Sequence, residues 1–186
     1  MNIYDVRKIV NDEKELYFSK NYKDMKRCRR ERYYVWRSLS SFRYAKYYLE
    51  KVNENKDNII KRKIYNKFFH YYYADYNKFG RISNVEIVFN SEIGPNCDIW
   101  HGGVVINGIL GSNCLIHGNN IIGNKGKGLE AKIPTIGNNV DIGAGATIIG
   151  DVEIADNCII GANSVVTKSF NKKGSVIIGV PGKIKE

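Results

Sequence analysis

In the second half of the chain an aliphatic residue returns at every sixth position, and that spacing leaves few ways to fold. Ile87, Ile93, Ile99 and Val105 stand six apart, as do Leu110, Ile116 and Ile122. Ile136, Ile142, Ile148, Ile154, Ile160 and Val166 then run without a slip. A strand alternates with a period of two and an amphipathic helix with one of about 3.6, so neither produces the pattern. A three-sided prism does. Six residues make one side and three sides make a coil, and stacked coils bury an aliphatic column that no side could bury alone. Glycine follows the aliphatic residue at 94, 111, 123, 137, 143 and 161, where a corner tolerates backbone conformations that a Cβ penalises. The fourth residue after the aliphatic one is small or β-branched: Cys97, Cys114, Val140, Ala146, Val152, Cys158 and Ser164. Three of the four cysteines thus read as core fillers, and no CxxC spacing suggests a metal or redox motif.

Two departures break the period. Val105 to Leu110 is five residues, one short. Ile122 to Ile136 is fourteen, an insertion of eight that holds Asn124–Pro134, NKGKGLEAKIP. A loop leaving the stack has lost its strand partners, and such loops commonly carry function.

The first half has another composition. All 18 glycines and all three prolines lie at or after Gly80, and all 13 tyrosines at or before Tyr76. Residues 1–79 carry 20 Lys and Arg against 10 Asp and Glu, which is the whole net charge of +10. A seam near Phe79–Gly80 follows, dividing an α-helical domain, 1–79, from a β domain, 80–186. Val35, Leu39, Phe42, Ala45, Leu49 and Val52 form one helical stripe. After the polar break Asn53–Asn58, Ile60, Ile64, Phe68 and Tyr71 mark a second helix, expected antiparallel to the first. Ile3, Val6, Val10 and Tyr17 suggest a weaker one.

The cluster KRCRRERYY (Lys26–Tyr34) and the run FFHYYY (Phe68–Tyr73) admit three readings. A solvated basic face with packed aromatics, His70 among them, is the simplest. Contact with an anionic membrane surface or a lipid-linked substrate is the second, and nucleic-acid binding fits least. The first residues lack the apolar core of a signal peptide, and no apolar run spans a bilayer. With unpaired cysteines this predicts a cytoplasmic protein, at most peripheral to the inner face of a membrane.

The segments IWHGGVVIN, IIGNKGKG, IPTIGNNVDIGAGATIIGDVEIADNCIIGANSVVTKS and GVPGKI cover most of residues 93–184. They resemble the serine acetyltransferase branch of the hexapeptide-repeat acetyltransferases and its relatives that acetylate surface polysaccharides. The resemblance implies an α+β protein, with a left-handed parallel β-helix of about five coils over about Ile82–Val166. It also implies a loop at 124–134 closing over a site between subunits of a homotrimer, with a hexamer through the helical halves left open.

Acetyl transfer from a thioester to a hydroxyl needs a base, and a neutral imidazole suits that task near neutral pH. The resemblance assigns the base to His101. His117 is either a second pocket residue or a solvent-facing corner residue, with Asp98, Trp100, Asn107 and Asn119 as further candidates for the acceptor. The co-substrate implied is acetyl-CoA, along Asn124, Ala144, Gly145, Gly161, Ala162, Thr167 and Lys168. Lys183 of the GVPGK segment, joined by Lys185, would meet its phosphates. A backbone N–H of Gly118 or Gly123 would meet the oxyanion. No metal is expected, since the zinc-binding branch of these repeats needs three histidines and only His101 and His117 lie in the repeat.

The chain departs from serine acetyltransferases at two points. Trp100 stands where they place an Asp before the catalytic His, and Ile133 stands before Pro134 where they carry a second His. Those groups help hold a zwitterionic amino acid. Their loss, with an aromatic ring beside the base, points to a sugar hydroxyl of a surface polysaccharide. Serine O-acetylation is the alternative, and a non-catalytic β-helix scaffold a further one.

Overall fold

The computed structural model describes residues 2–18 and 30–185, in two compact units, Met1–Ser83 and Asn84–Glu186. The first holds three helices, α1 (Ile3–Phe18), α2 (Glu31–Glu54) and α3 (Ile59–Ser83). Asn2 caps α1: its Oδ1 accepts from the N–H groups of Tyr4 and Asp5, while Asp5 Oδ2 accepts from Asn2 N. Val6, Val10 and Tyr17 face inward from α1, as their spacing predicts. Asn58 opens α3 by accepting from Lys61 N at 3.0 Å.

The expected stripe of α2 is buried at Val35, Leu39, Phe42 and Ala45. That of α3 is not: Ile60, Ile64, Phe68 and Tyr71 are exposed. The face of α3 turned to α2 is aromatic and polar instead. Tyr76 meets Phe42, Tyr72 stacks on Tyr44 and Tyr48, and Asp75 takes hydrogen bonds from Arg37 and Ser41. Half-polar tyrosines do most of the burying, and of the expected stripe Phe68 still reaches α2, its ring stacked 5.0 Å from that of Tyr48. His70 is exposed, with its ring 5.2 Å from that of Phe69. Helix α3 runs through Gly80 to Ser83, whose hydroxyl bonds back to the Phe79 carbonyl at 2.8 Å. Of the basic cluster, Arg32 is held over the Tyr17 ring, whereas Lys26–Arg29 lie outside the described residues. Among the described residues no helix is long and apolar enough to cross a membrane.

The second unit is a parallel β-helix with three sheets. The first contains β1 (Val85–Ile87), β4 (Val104–Ile106), β7 (Ile121–Gly123), β10 (Thr147–Ile149) and β13 (Val165–Val166). The second contains β2 (Glu92–Ile93), β5 (Ile109–Leu110), β8 (Thr135–Ile136) and β11 (Glu153–Ile154). In the third, β3 (Asp98–Ile99), β6 (Leu115–Ile116), β9 (Asp141–Ile142), β12 (Ile159–Ile160) and β14 (Val176–Ile178) run parallel, and β15 (Lys183–Ile184) returns antiparallel on β14. Five coils result, and the column extends past Val166 to Phe170 and Ile177, both buried. It begins after Ile82, which is an exposed residue of α3.

One register expectation is overturned. Ile87 pairs with Ile106, and Ile106 with Ile122, so Ile106 and not Val105 enters the column. Ile106 is fully buried while Val105 is 36% exposed. The chain spends one extra residue between Ile99 and Ile106, in the turn at His101–Gly103, and is then two short between Ile106 and Leu110.

The corners also differ from the expectation. Left-handed backbone is shared between glycine and asparagine, and among the described residues every non-glycine that takes it is an asparagine: Asn84, Asn96, Asn113, Asn119, Asn139, Asn157 and Asn163. Asn96, Asn113, Asn139 and Asn157 form a ladder of side-chain amide hydrogen bonds at 3.1–3.3 Å. Gly94, Gly111, Gly137, Gly143 and Gly161 keep ordinary φ and are needed for closeness. A Cβ on Gly143 would stand 2.6 Å from Ala162 N, and one on Gly94 2.5 Å from the Gly111 carbonyl carbon. The small-residue position fills the interior as read: Cys97, Cys114, Val140, Ala146, Val152, Cys158 and Ser164 are all buried. Cys97 Sγ and Cys114 Sγ lie 3.2 Å from the Gly111 and Gly137 carbonyl oxygens, as thiol donors packed in the column.

Candidate active site

Parallel stacking turns residues distant in sequence into rows. Down the third sheet, backbone N–H bonds of 2.8–3.0 Å step from Trp100 to Ile116, His117 to Ile142, Gly143 to Ile160 and Gly161 to Ile177. Trp100, His117, Gly143, Gly161 and Ile178 therefore occupy one outward row, and Lys183 lies beyond it, opposite Ile178. The row starts with two rings, loses its side chains at the two glycines, and ends at an isoleucine and a lysine. Next to the bare stretch, Ala144 and Ala162 are stacked in the turn, joined by the Asn163 N to Ala144 O bond of 2.9 Å.

At the upper end, His117 Nε2 lies 2.8 Å from Asp141 Oδ1, a diagonal contact to the next coil. The Trp100 ring stands 4.7 Å from the His117 ring, tilted by 48°. Its indole N–H donates to Asp98 Oδ2 at 3.0 Å. His101 follows, exposed, on the turn with the extra residue. Its Cβ sits over Gly118, where an added Cβ would come within 2.7 Å of it and where φ is +125. Glycine at 118 is thus what seats His101.

The predicted residues fall into two groups. Asp98, Trp100, His101, His117, Asn119, Ala144, Gly145, Gly161 and Ala162 gather along the third sheet and its corner to the first. Asn107, Asn124, Thr167 and Lys168 lie at the far edge of the first sheet, where Asn107 N bonds to Ile122 O and the 124–134 loop departs. In that loop Asn124 Oδ1 accepts from Gly126 N, and Glu130 accepts from Gly128 N, which holds its carboxyl below the usual carboxylate range. Lys125 lies across Gly150. Lys168 sits with Nζ 5.5 Å from the Phe170 ring centroid, and Lys185 N bonds to Val176 O.

Of the two N–H groups proposed for an oxyanion, that of Gly118 is already bonded to Asn120 Oδ1 at 2.8 Å. Asn120 is fully buried, and its amide also donates to the Gly143 carbonyl at 2.8 Å. Sequence reasoning missed both Asn120 and Asp141. His117 and Asp141 are 24 positions apart and adjoin only once the eight-residue insertion is folded out of the stack. Among the described residues no group of three or more His, Cys, Asp or Glu side chains is placed to hold a metal ion.

Residues 133–168 match the family of bacterial transferase hexapeptide repeats. A serine acetyltransferase of Synechococcus elongatus is 38% identical over 106 residues, 55% of this chain and 43% of that protein. The chain thus spans under half the length of that curated relative. Among solved structures, serine acetyltransferase from Neisseria gonorrhoeae superposes with a TM-score of 0.71 at 23% identity, over 99% of this chain and 67% of that one. Brucella abortus serine acetyltransferase in complex with coenzyme A gives 0.65 at 23% identity, over 80% and 54%. These similar proteins are serine acetyltransferases, and the expected polysaccharide role draws no support from them. The second unit is thus a parallel β-helix whose residues 133–168 carry the hexapeptide repeat of bacterial transferases, and it is similar in sequence and in fold to serine acetyltransferases.

Proposed function

We propose that the chain transfers an acetyl group from acetyl-CoA to a hydroxyl, with His101 as general base. The observation that carries this reading is the bare groove over Gly143 and Gly161, running from His117 toward Lys183. Four rungs separate His117 from Lys183, roughly 19 Å at about 4.8 Å per rung, a length suited to an extended pantetheine arm with its phosphates at the lysine. The fold likeness to an enzyme crystallised with coenzyme A supports the same ligand. An imidazole nitrogen of His101 takes the acceptor proton as the oxygen attacks the thioester carbonyl. The C–S bond then breaks, and the thiolate leaves with that proton.

Thr167 and Lys168 lie on the opposite edge of the first sheet from Ala144 and Ala162. One cofactor reaching both sets needs two copies of the chain, which favours the homotrimer. Val105 and Ile121, exposed side by side on the first sheet, supply apolar surface for it.

Serine leads as the acceptor, because the similar proteins are serine acetyltransferases. A sugar hydroxyl is the second reading, favoured by one observation: Trp100, 40% exposed, stands directly before the base. The deciding experiment is an acceptor screen with acetyl-CoA and thiol detection, comparing serine with sugars and oligosaccharides. His101→Ala should lower turnover at least ~100-fold while coenzyme A still binds. Failure of the wild-type chain to bind coenzyme A would leave a scaffold.

A further inference from the structure

We infer that Asn120 is a positioning residue for acetyl transfer: its buried amide fixes Gly118, the seat of His101, to the turn at Gly143–Ala146 beside the groove. The inference rests on the acetyltransferase reading with His101 as base, and adds the group that holds that base in place.

The fold does not need an amide at this position. In register with Asn120 on the neighbouring coils stand Val104, Ala146 and Ser164, all buried. A buried amide costs free energy unless its polar atoms are paired, and a small apolar residue carries no such demand. Here the pairing is built. Asn120 Oδ1 accepts from Gly118 N at 2.8 Å, and Nδ2 donates to the Gly143 and Ala146 carbonyls at 2.8 and 3.3 Å. The partners settle which end is which, since an N–H can give only to the oxygen and the two carbonyls can receive only from the NH2.

The two ends of this bridge are unequal. The Gly143–Ala146 turn is anchored to the next coil by its own backbone, Gly143 N to Ile160 O at 2.8 Å and Asn163 N to Ala144 O at 2.9 Å. Gly118 instead takes a φ of +125, which a side chain would resist, and the His101 Cβ lies directly over it. Its N–H goes to Asn120, and its carbonyl accepts from Gly145 N at 2.9 Å. A fixed anchor thus holds an unusual peptide, and that peptide sets where the imidazole stands. Proton transfer tolerates little misplacement of the base, whereas the groove floor keeps its backbone bonds without the amide. Loss of Asn120 should therefore fall on turnover and spare coenzyme A binding.

The test compares the full wild-type chain with Asn120→Ala. Asn120→Ser, a residue the same row already holds at Ser164, is read instead if the first variant does not fold. With acetyl-CoA and L-serine, kcat should fall about 10–100-fold while the calorimetric Kd of coenzyme A stays within about threefold. In proton–carbon NMR of histidine-labelled chain, the ring Cε1–H signal of His101 should move, with that of His70 in the helical unit unchanged. Three outcomes would overturn the proposal: kcat within about twofold of wild type, an unmoved His101 signal, or a coenzyme A Kd that weakens in step with kcat, as general loosening predicts. Failure of the wild type to bind coenzyme A would overturn the acetyltransferase reading, and failure with serine alone the serine acceptor. In both cases the histidine spectrum, which needs no turnover, still decides whether Asn120 places His101.

Discussion

Arg43 grips Glu13 with two hydrogen bonds, Nε to Oε2 at 2.9 Å and Nη2 to Oε1 at 2.5 Å, with the side chains 8% and 0% exposed. The pair joins α1 to α2 inside the helical unit. Both charges are desolvated, so its value depends on both partners being present. Arg43→Met, which strands the carboxylate, should cost about 3–5 kcal/mol in urea unfolding followed at the helical signal. Adding Glu13→Leu to that variant should restore most of the loss. Equal stability of Arg43→Met and the wild type would refute the argument.

The register at the fourth strand separates two neighbours. Ile106→Ala opens a cavity in the column and should destabilise by about 2–5 kcal/mol. Val105→Ala, on the outer face, should cost under about 1 kcal/mol in the monomer. Thermal melts of the two variants check this directly, and the reverse order would restore the unbroken six-residue count.

Close stacking predicts a similar contrast among glycines. Gly143→Ala places a methyl 2.6 Å from the Ala162 backbone nitrogen, which must force the coils apart at about 1–3 kcal/mol. Because the same glycine floors the groove, coenzyme A affinity should fall with stability. Gly126→Ala has no neighbour within 4 Å of the new Cβ and should lose only the milder strain of its φ of +98. Calorimetric coenzyme A titration beside melting curves reads both effects.

Burial pushes the phenols of Tyr44, Tyr48 and Tyr72 above the ordinary value of 10.0, with neighbouring tyrosines adding to it and Arg7 opposing it at Tyr44 and Tyr48. A raised folded pKa favours the folded state as long as both states stay protonated. The contribution is therefore whole below pH ~10 and declines as pH climbs through the raised values. The helical unit should lose stability over that alkaline range. Tyr72→Phe should blunt the decline, as seen by circular dichroism against tyrosinate absorbance.

Much of the architecture was legible because the β-helix repeats one decision many times. A buried aliphatic at each sixth place survives local errors, so a single misassigned rung at Val105 did not disturb the reading of five coils. The helical unit gave less. The contact face of α3 is made by Tyr65, Phe68, Tyr72, Asp75 and Tyr76, most of which hydropathy spacing ranks below Ile60 and Ile64. Of the site, Trp100 and His117 stood out by type, but their contact arises from stacking one coil on the next. Asp141 became visible only in three dimensions, across the insertion. Asn120 was hidden for another reason: it occupies a slot the repeat gives to small apolar residues, and its three hydrogen bonds make an amide tolerable there.

The excursion at 124–134 leaves the column after Ile122 and rejoins it at Ile136, with β7 and β8 each in register on both neighbours. Its length is thereby uncoupled from the solenoid. Since the entropy of closing a loop rises only with the logarithm of its length, residues can be added or removed there for a few tenths of a kcal/mol. A protein built this way can reshape the loop while the stack that aligns the groove stays as it is.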